Sequence, residues 1–401
     1  MKKACYATIL FFAVPAMAQD VPLPARVLVR SLEAVAAHPV EISQDEVIVH
    51  PIKDEMLRRL SPEDVLGLVV GPRSSRESDS RWRSVLRRSG ERSLRRLPEW
   101  RLVDGQVFSG SLRLTADPPT WTHSRLGSIK IDLERTASIR LVDGVDLPAV
   151  SNHDVIMLRN GDRVEGFVLE LSDPLKIEQE TEGKVRTVSI PLQRVAAIAL
   201  VNQMRGATGT RIWTSDGSVV QAESVLIGLD GYVKLIKPRE KPTREVEFRR
   251  EHLRGVVFDA SRLIPLASLA ATLDTEASKN LRPWAAPPVV EKGFWPLDAA
   301  AITISGPARV RWELPKAGCV VAATAELPID SIHGDYELVL RDGGREVQRF
   351  TMNQEAPLVR LRVELESKML ELELTTGQRG PVHDDLVLHE GVVLLPEKGE
   401  E

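Results

Sequence analysis

Residues 154–201 read DVIMLRNGDRVEGFVLELSDPLKIEQETEGKVRTVSIPLQRVAAIALV, and this stretch decides the fold. Asn160-Gly161 follows a short apolar run and supplies the positive φ angles that a tight hairpin turn needs. Asp173-Pro174 and Gly183 separate the next strand-like runs, and Pro191 ends the fourth run before a last apolar one. Five short strands with one helical turn before the last are typical of a small SH3-like barrel.

The same pattern returns along the chain at intervals of about 55 residues, which indicates tandem modules. One copy occupies 100–145 around Asp104-Gly105, and another occupies 210–259 around Asp216-Gly217. A weaker copy over 19–70 lacks the glycine turn. An alternative is one long meander in which neighbouring modules share strands. The sequence therefore predicts an all-β protein that begins with three or four tandem barrels.

The N-terminus has the pattern of a secretory signal peptide over residues 1–18. Two lysines precede a short apolar core, and Ala16-Met17-Ala18 forms a small-residue cleavage site. We expect cleavage before Gln19 and export to the periplasm or beyond, from a bacterium. An uncleaved N-terminal membrane anchor is the alternative.

Composition narrows the function classes further. The net charge of −4 falls to −6 once Lys2 and Lys3 leave with the signal peptide, so nothing indicates nucleic-acid binding. No later segment is apolar for long enough to span a membrane. Cys319 is the one cysteine that remains, and its apolar surroundings predict a buried, unreactive thiol.

Two segments between the modules have a different character. Residues 71–99 contain nine arginines among serines and glutamates, which predicts an exposed linker; contact with an anionic envelope polymer is the alternative. Residues 260–292 hold an apolar stretch followed by several prolines, which predicts a connector.

The last region, residues 293–396, predicts an antiparallel β-sandwich of the jelly-roll kind. Apolar and polar residues alternate with period two in Leu361, Val363 and Leu365 and again in 370–374. About seven such strands with turns between them are typical of a sandwich.

This region resembles the bacterial NPCBM family, a carbohydrate-binding jelly roll related to galactose-binding domains. The pieces that carry the resemblance are ARVRWELP at 308–315, the strand and turn at 335–342, the strand at 369–374 and the acidic pair Asp384-Asp385. The chain departs from the family at Ile302-Thr303-Ile304, where the family has a histidine, and after the acidic pair, where the family has a tryptophan. The resemblance implies a glycan ligand for this domain.

Four residues are the candidate ligand-binding side chains: Trp312, His383, Asp384 and Asp385. A tryptophan can stack on the C–H face of a sugar, although a place in the core is the alternative for Trp312. Capping of a turn is the alternative for the acidic pair. No metal is expected, because His383 and His389 are six residues apart, which is about 20 Å along a strand.

No catalytic motif is present, and no cofactor is expected. The sequence thus predicts a non-enzymatic binding protein of the cell envelope that recognises glycan through its last domain. The alternative is an assembly protein whose barrels bind a protein partner through strand edges and loops. An accessory subunit of an enzyme is a third reading. Exposed Trp or Tyr on the sandwich loops would favour glycan, and apolar patches on the barrels would favour a partner.

Overall fold

The structure is a computed structural model, and it describes residues 25–52, 56–70, 98–115, 118–150, 152–181, 183–243, 245–275, 286–291, 295–378, 380 and 384–397. The signal peptide at 1–18 and almost all of the arginine-rich segment 71–99 lie outside these residues. Within the described ranges there are thirty-two strands and six 3₁₀ turns, so the predicted all-β fold class is confirmed. Among these residues no helix has the length and apolar character to cross a bilayer.

The first barrel comes from the weakest sequence copy. Strands β1 to β4 pair in sequence order, and β1 also pairs with β5, which closes the barrel. The turn after β1 holds Leu32 at a φ of 57°, so a leucine adopts the left-handed conformation that glycine takes in the other copies. The strands are β1 Ala25–Val29, β2 Ala34–Ile42, β3 Val47–Pro51, β4 Arg58–Leu60 and β5 Val65–Val70, with a 3₁₀ turn at Pro62–Asp64.

The second barrel follows the same order, with its second strand split at Gly110. Its first strand, β6, pairs with both β7 and the closing strand β11. The strands are β6 Glu99–Leu102, β7 Val107–Ser109, β8 Ser111–Arg113, β9 Thr120–His123, β10 Gly127–Lys130 and β11 Thr136–Arg140, with a 3₁₀ turn at Leu133–Arg135.

The third barrel is the stretch quoted at the start. Gly161 has a φ of 91°, and the hairpin it turns pairs Ile156 with Val164, as Asn160-Gly161 predicts. The strands are β12 Asp154–Leu158, β13 Arg163–Glu170, β14 Leu175–Thr181, β15 Lys184–Ile190 and β16 Val195–Ala199, with a 3₁₀ turn at Leu192–Arg194.

The fourth barrel repeats this layout, and β17 pairs with both β18 and β21. The strands are β17 Thr210–Thr214, β18 Val219–Ile227, β19 Tyr232–Pro238, β20 Val246–Arg249 and β21 Leu253–Val257, with a 3₁₀ turn at Arg250–His252. In all four barrels, then, the first strand pairs with the closing strand of the same module.

The closing strands also pair between barrels. Strand β11 runs antiparallel to β16, joining the second and third barrels, and β21 runs antiparallel to β5, joining the fourth and first. Gly67 makes the second junction possible, because a Cβ there would lie 2.5 Å from the carbonyl oxygen of Val256. Each barrel thus closes on itself and pairs with at least one neighbour, and the fourth also pairs with the second where Val219 lies opposite Val107.

The last unit is a two-sheet sandwich. One sheet has the order β24-β25-β32-β27-β30, with β22 against β32, and the other has the order β23-β26-β31-β28-β29. The strands are β22 Leu263–Pro265, β23 Ala271–Leu273, β24 Val289–Val290, β25 Ile302–Ser305, β26 Ala308–Glu313, β27 Val320–Glu326, β28 Tyr336–Asp342, β29 Arg345–Met352, β30 Leu358–Glu364, β31 Met369–Thr376 and β32 Asp385–Leu394, with 3₁₀ turns at Leu266–Ser268 and Pro296–Asp298. Strands β22 to β24 come from the segment that the sequence presents as a connector.

Three apolar clusters hold the molecule together. One fills the barrels, one lies between the sheets of the sandwich, and a third joins the two. The third contains Leu28 and Leu32 from the first barrel, Trp213 from the fourth, and Val392 and Leu394 from the sandwich. The barrels and the sandwich therefore share buried apolar surface.

Candidate functional site

Four connections of the sandwich gather at one end, which we call the loop end. They are the connections β25–β26 (306–307), β27–β28 (327–335), β29–β30 (353–357) and β31–β32 (377–384). Hydrogen bonds join them to one another: Leu327 N–H donates to the Pro357 carbonyl at 2.8 Å, and Gln354 Nε2 donates to the Ser331 carbonyl at 2.8 Å. Sites on sandwiches are commonly built where such loops meet.

Asp384 lies at the centre of the loop end. Only 2% of the residue is exposed, its Oδ1 accepts from the Asp335 N–H at 3.4 Å, and its carbonyl accepts from the Gly306 N–H at 2.8 Å. Asp335 in turn accepts from the Gln378 N–H at 3.2 Å. Asp384 thus connects three loops through hydrogen bonds from a buried position, and its role is to position them.

Asp385 begins the last strand, and Tyr336 lies beneath it. The Tyr336 hydroxyl donates to the Asp385 carbonyl at 3.1 Å, and the ring is fully buried. Burial, together with the charges of Asp384 and Asp385, raises the pKa of Tyr336 far above its usual value. The phenol therefore stays protonated and keeps its hydrogen bond.

Trp312 lies in the core of the sandwich and not at its surface. It is 0% exposed on β26, between Ala271 and Leu370 on the neighbouring strands, and its Nε1 has no hydrogen-bond partner among the described residues. A ring in this position cannot stack on a sugar. The sequence allows Trp312 either to contact a sugar or to lie in the core, and in the structure it lies in the core.

The histidines near the acidic pair are His383 and His389. His383 lies outside the described residues, and the Nε2 of His389 is 2.8 Å from Oε2 of the buried Glu326. No group of three or more potential ligands that could hold a metal ion occurs in the described part of the chain.

The outer surface of the loop end carries both apolar and polar side chains. Ile329 and Ile332 are 57% and 58% exposed, Asp330 and His333 are exposed on the same loop, and Gln378 is exposed on the β31–β32 connection. None of the described residues of the sandwich is an exposed tryptophan or tyrosine. No pattern in the sequence predicts that the two isoleucines are exposed, because a loop has no periodicity from which exposure could be read.

A second polar cluster joins the second and fourth barrels. The Nε2 of His123 lies 3.0 Å from the Ser218 hydroxyl and 3.2 Å from Asp216 Oδ2, and Arg125 also pairs with Asp216. Burial alone would raise the pKa of Asp216, but the hydrogen bond from His123, the Arg125 charge and the Thr214 hydroxyl hold that pKa below its usual range.

The geometry of this cluster is that of a structural network. The Nδ1 of His123 accepts from the backbone N–H groups of Arg125 and Leu126, both at 3.0 Å, so the proton of the neutral ring lies on Nε2. A ring in this state donates toward Ser218 and cannot act as its base, whereas a catalytic triad needs a free acceptor nitrogen there. Ser218 is also fully buried.

Comparisons with known proteins are as follows. No family model matches the chain, and no curated protein matches it. Similar solved structures include the CBM51 domain of Clostridium perfringens GH95 in complex with methyl-galactose, at 9% identity and a TM-score of 0.26, over 33% of this chain and 99% of that one. The CBM51-2 and INT domains of Clostridium perfringens ZmpB match at 13% identity and a TM-score of 0.26, over 41% of this chain and 36% of that one. TM-scores of this size do not define a shared fold, and no conclusion is drawn from these likenesses.

Proposed function

We propose that the chain is an exported, non-enzymatic binding protein that recognises glycan through the loop end of its sandwich. The observation that carries the proposal is the convergence of four connections around the buried Asp384, which holds three of them in fixed positions. A site whose loops are fixed before binding loses little conformational entropy when a ligand arrives.

The surface chemistry of the loop end supports a sugar ligand. A sugar presents hydroxyl groups and apolar C–H faces, and binding sites for such molecules combine apolar surface with a few polar groups. Ile329 and Ile332 supply exposed apolar surface, while His333 and Gln378 supply hydrogen-bonding groups nearby.

The resemblance to the NPCBM family adds support, with altered roles for two residues. Asp384 and Trp312 are both buried, so we assign them to positioning and packing and not to contact with the ligand. In this proposal Ile329, Ile332 and the polar groups beside them make the contacts. Export rests on the signal-peptide pattern of residues 1–18.

A glycan array with the full mature chain tests the proposal. We expect at least one glycan to bind, and the double variant Ile329→Ser/Ile332→Ser to weaken that binding at least about tenfold, equivalent to 1.4 kcal/mol. Mass spectrometry should recover the bound glycan unchanged after prolonged incubation, because no hydrolysis is proposed.

Two control variants make the result interpretable. Met369→Ser changes a 40% exposed residue at the opposite end of the sandwich and should leave binding unchanged. Trp312→Phe should also keep binding, since the indole lies in the core. Failure of every glycan to bind, or equal loss in Met369→Ser, would refute glycan recognition at the loop end.

A further inference from the structure

The free sheet edge of the third barrel is longer than those of the other barrels. Strand β15 pairs with β14 over seven residues, from Leu175 opposite Ile190 to Thr181 opposite Lys184, and no other described strand pairs with it. The corresponding edge strands of the other barrels, β4, β10 and β20, have three or four residues. An unpaired edge of this length presents a row of backbone donors and acceptors to a further strand.

An open groove of about 550 Å³ runs beside this edge. Its apolar part consists of Leu158, Val164, Val188 and Ile190, of which Val164 and Val188 are only half-buried. An apolar side chain that entered the groove would cover these partly exposed groups and remove their apolar surface from water, which is favourable.

The groove is bordered by cations. Arg163 and Arg194 line it, and Lys184 and Arg186 lie on the same face of β15 as Val188 because side chains alternate along a strand. All four are exposed, and none forms an ion pair with any described residue, unlike the exposed Arg349, which pairs with Glu337 and Glu346. Glu165 is the single carboxylate that lines the groove.

The face of β15 toward the groove therefore has a defined order of side chains. The two cations, Lys184 and Arg186, occupy one half, and the two apolar residues, Val188 and Ile190, occupy the other. A strand that pairs with this edge should place carboxylates against the first half and apolar side chains against the second. A second copy of β15 fits poorly, because parallel pairing would bring like charges together and antiparallel pairing would set the cations opposite apolar residues, with no carboxylate to meet them.

We propose that β15 binds an extended acidic segment of a partner protein, which adds a strand to the third barrel. The backbone of the segment pairs with β15, its apolar side chains enter the groove, and its carboxylates meet Lys184, Arg186 and Arg163. This surface lies on a different unit from the loop end of the sandwich, so its test is independent of glycan binding.

The test uses the full mature chain and labelled peptides in fluorescence polarisation. The probe acetyl-VTVTETE-amide runs antiparallel to β15 with its valines toward Ile190 and Val188, and the reversed peptide ETETVTV tests the parallel direction. We expect one of these two peptides to bind. The analogue of that peptide with lysine in place of glutamate should bind at least about tenfold more weakly, and added salt should weaken the complex. Arg163→Glu/Arg186→Glu should weaken binding at least about tenfold, while Arg113→Glu, the same change on the exposed strand β8, should not.

N-methylation at alternate residues separates strand addition from plain charge attraction. N–H groups of alternate residues point to opposite sides of a strand, so one of the two methylation patterns should abolish binding and the other should preserve it. Binding that survives both patterns, or binding of sulfated polysaccharide that is equally lost in Arg163→Glu/Arg186→Glu, would identify an anionic-polymer site and overturn the proposal. No binding of either peptide direction, or self-association through this edge, would overturn it as well.

Discussion

At the scale of single residues, Asp216 is one of the charged groups at the contact between the second and fourth barrels. It pairs with Arg125 and lies 3.2 Å from His123 Nε2, while its Oδ1 accepts from the Thr214 hydroxyl at 2.6 Å. Asp216→Asn keeps the size of the side chain and removes its charge. We expect a loss of about 2 kcal/mol in the free energy of unfolding at pH 7, because hydrogen bonds to charged groups are involved. Urea unfolding of the wild type and of Asp216→Asn measures this difference in the free energy of unfolding. Asp143→Asn, at an exposed position, is the control and should leave the free energy of unfolding unchanged.

The loss should depend on pH in a definite direction. An ordinary carboxyl has a pKa of 3.8, and the pKa of folded Asp216 is lower, so the folded protein holds the charge after the unfolded chain has taken up a proton. The stabilisation is complete above the unfolded pKa and declines as the pH falls toward the folded pKa. The difference between wild type and Asp216→Asn should therefore shrink below about pH 4, by about 1.4 kcal/mol for each pH unit. An equal difference at pH 7 and pH 3 would contradict this account.

At the scale of elements, Gly166 allows β13 to change partners. Residues up to Gly166 pair with β12, and the strand pairs with β14 from Phe167 onward. A Cβ on Gly166 would lie 2.3 Å from the carbonyl oxygen of Glu178 and 2.9 Å from Ile177. Gly166→Ala should thus cost about 3 kcal/mol of stability through forced separation of the strands.

Gly183→Ala is the matched control for this change. Gly183 lies in the turn between β14 and β15, with a φ of 73° and no atom near the position of an added Cβ. An alanine there would strain only the backbone conformation, at a cost of about 1 kcal/mol. Equal stability of the two alanine variants in urea unfolding would mean that the close approach at Gly166 is relieved by movement of β14.

The elements themselves were largely predictable, for local reasons. Asn160-Gly161 and Asp216-Gly217 mark tight turns whose chemistry acts over four residues, and both turns are present. The turn at Leu32 was not predictable, since leucine seldom adopts a positive φ and is held there by its burial among residues distant in sequence. Strands β22 and β23 are three residues long and depend on pairing with β32 and β26, which short apolar runs do not reveal.

At the scale of the whole molecule, the sequence predicted modules but not their mutual arrangement. Pairing of β5 with β21 joins residues nearly two hundred positions apart, and no periodicity encodes such a contact. The candidate site shows the same limit: period-two alternation placed Trp312 on a strand, but it could not determine that the Trp312 side of this strand faces the core. The convergence of four loops on Asp384 likewise follows from topology and not from any motif.

Leu32 joins the first barrel to the sandwich, and its truncation should affect both units. Its side chain is 1% exposed in the cluster that contains Val392 and Leu394, and its carbonyl accepts from Arg360 Nη2 at 3.3 Å. Leu32→Ala should lower the free energy of unfolding by about 2 to 4 kcal/mol, as for other buried leucines. Hydrogen exchange should show faster exchange in β1 and β5 and also in β27 and β32 of the sandwich, because the shared cluster couples them.

Ile52→Ala is the control for this prediction, since Ile52 belongs to the same barrel but is 51% exposed. It should change stability by less than about 0.5 kcal/mol and leave exchange in the sandwich unaltered. If Leu32→Ala speeds exchange only within the first barrel, the two units do not stabilise each other.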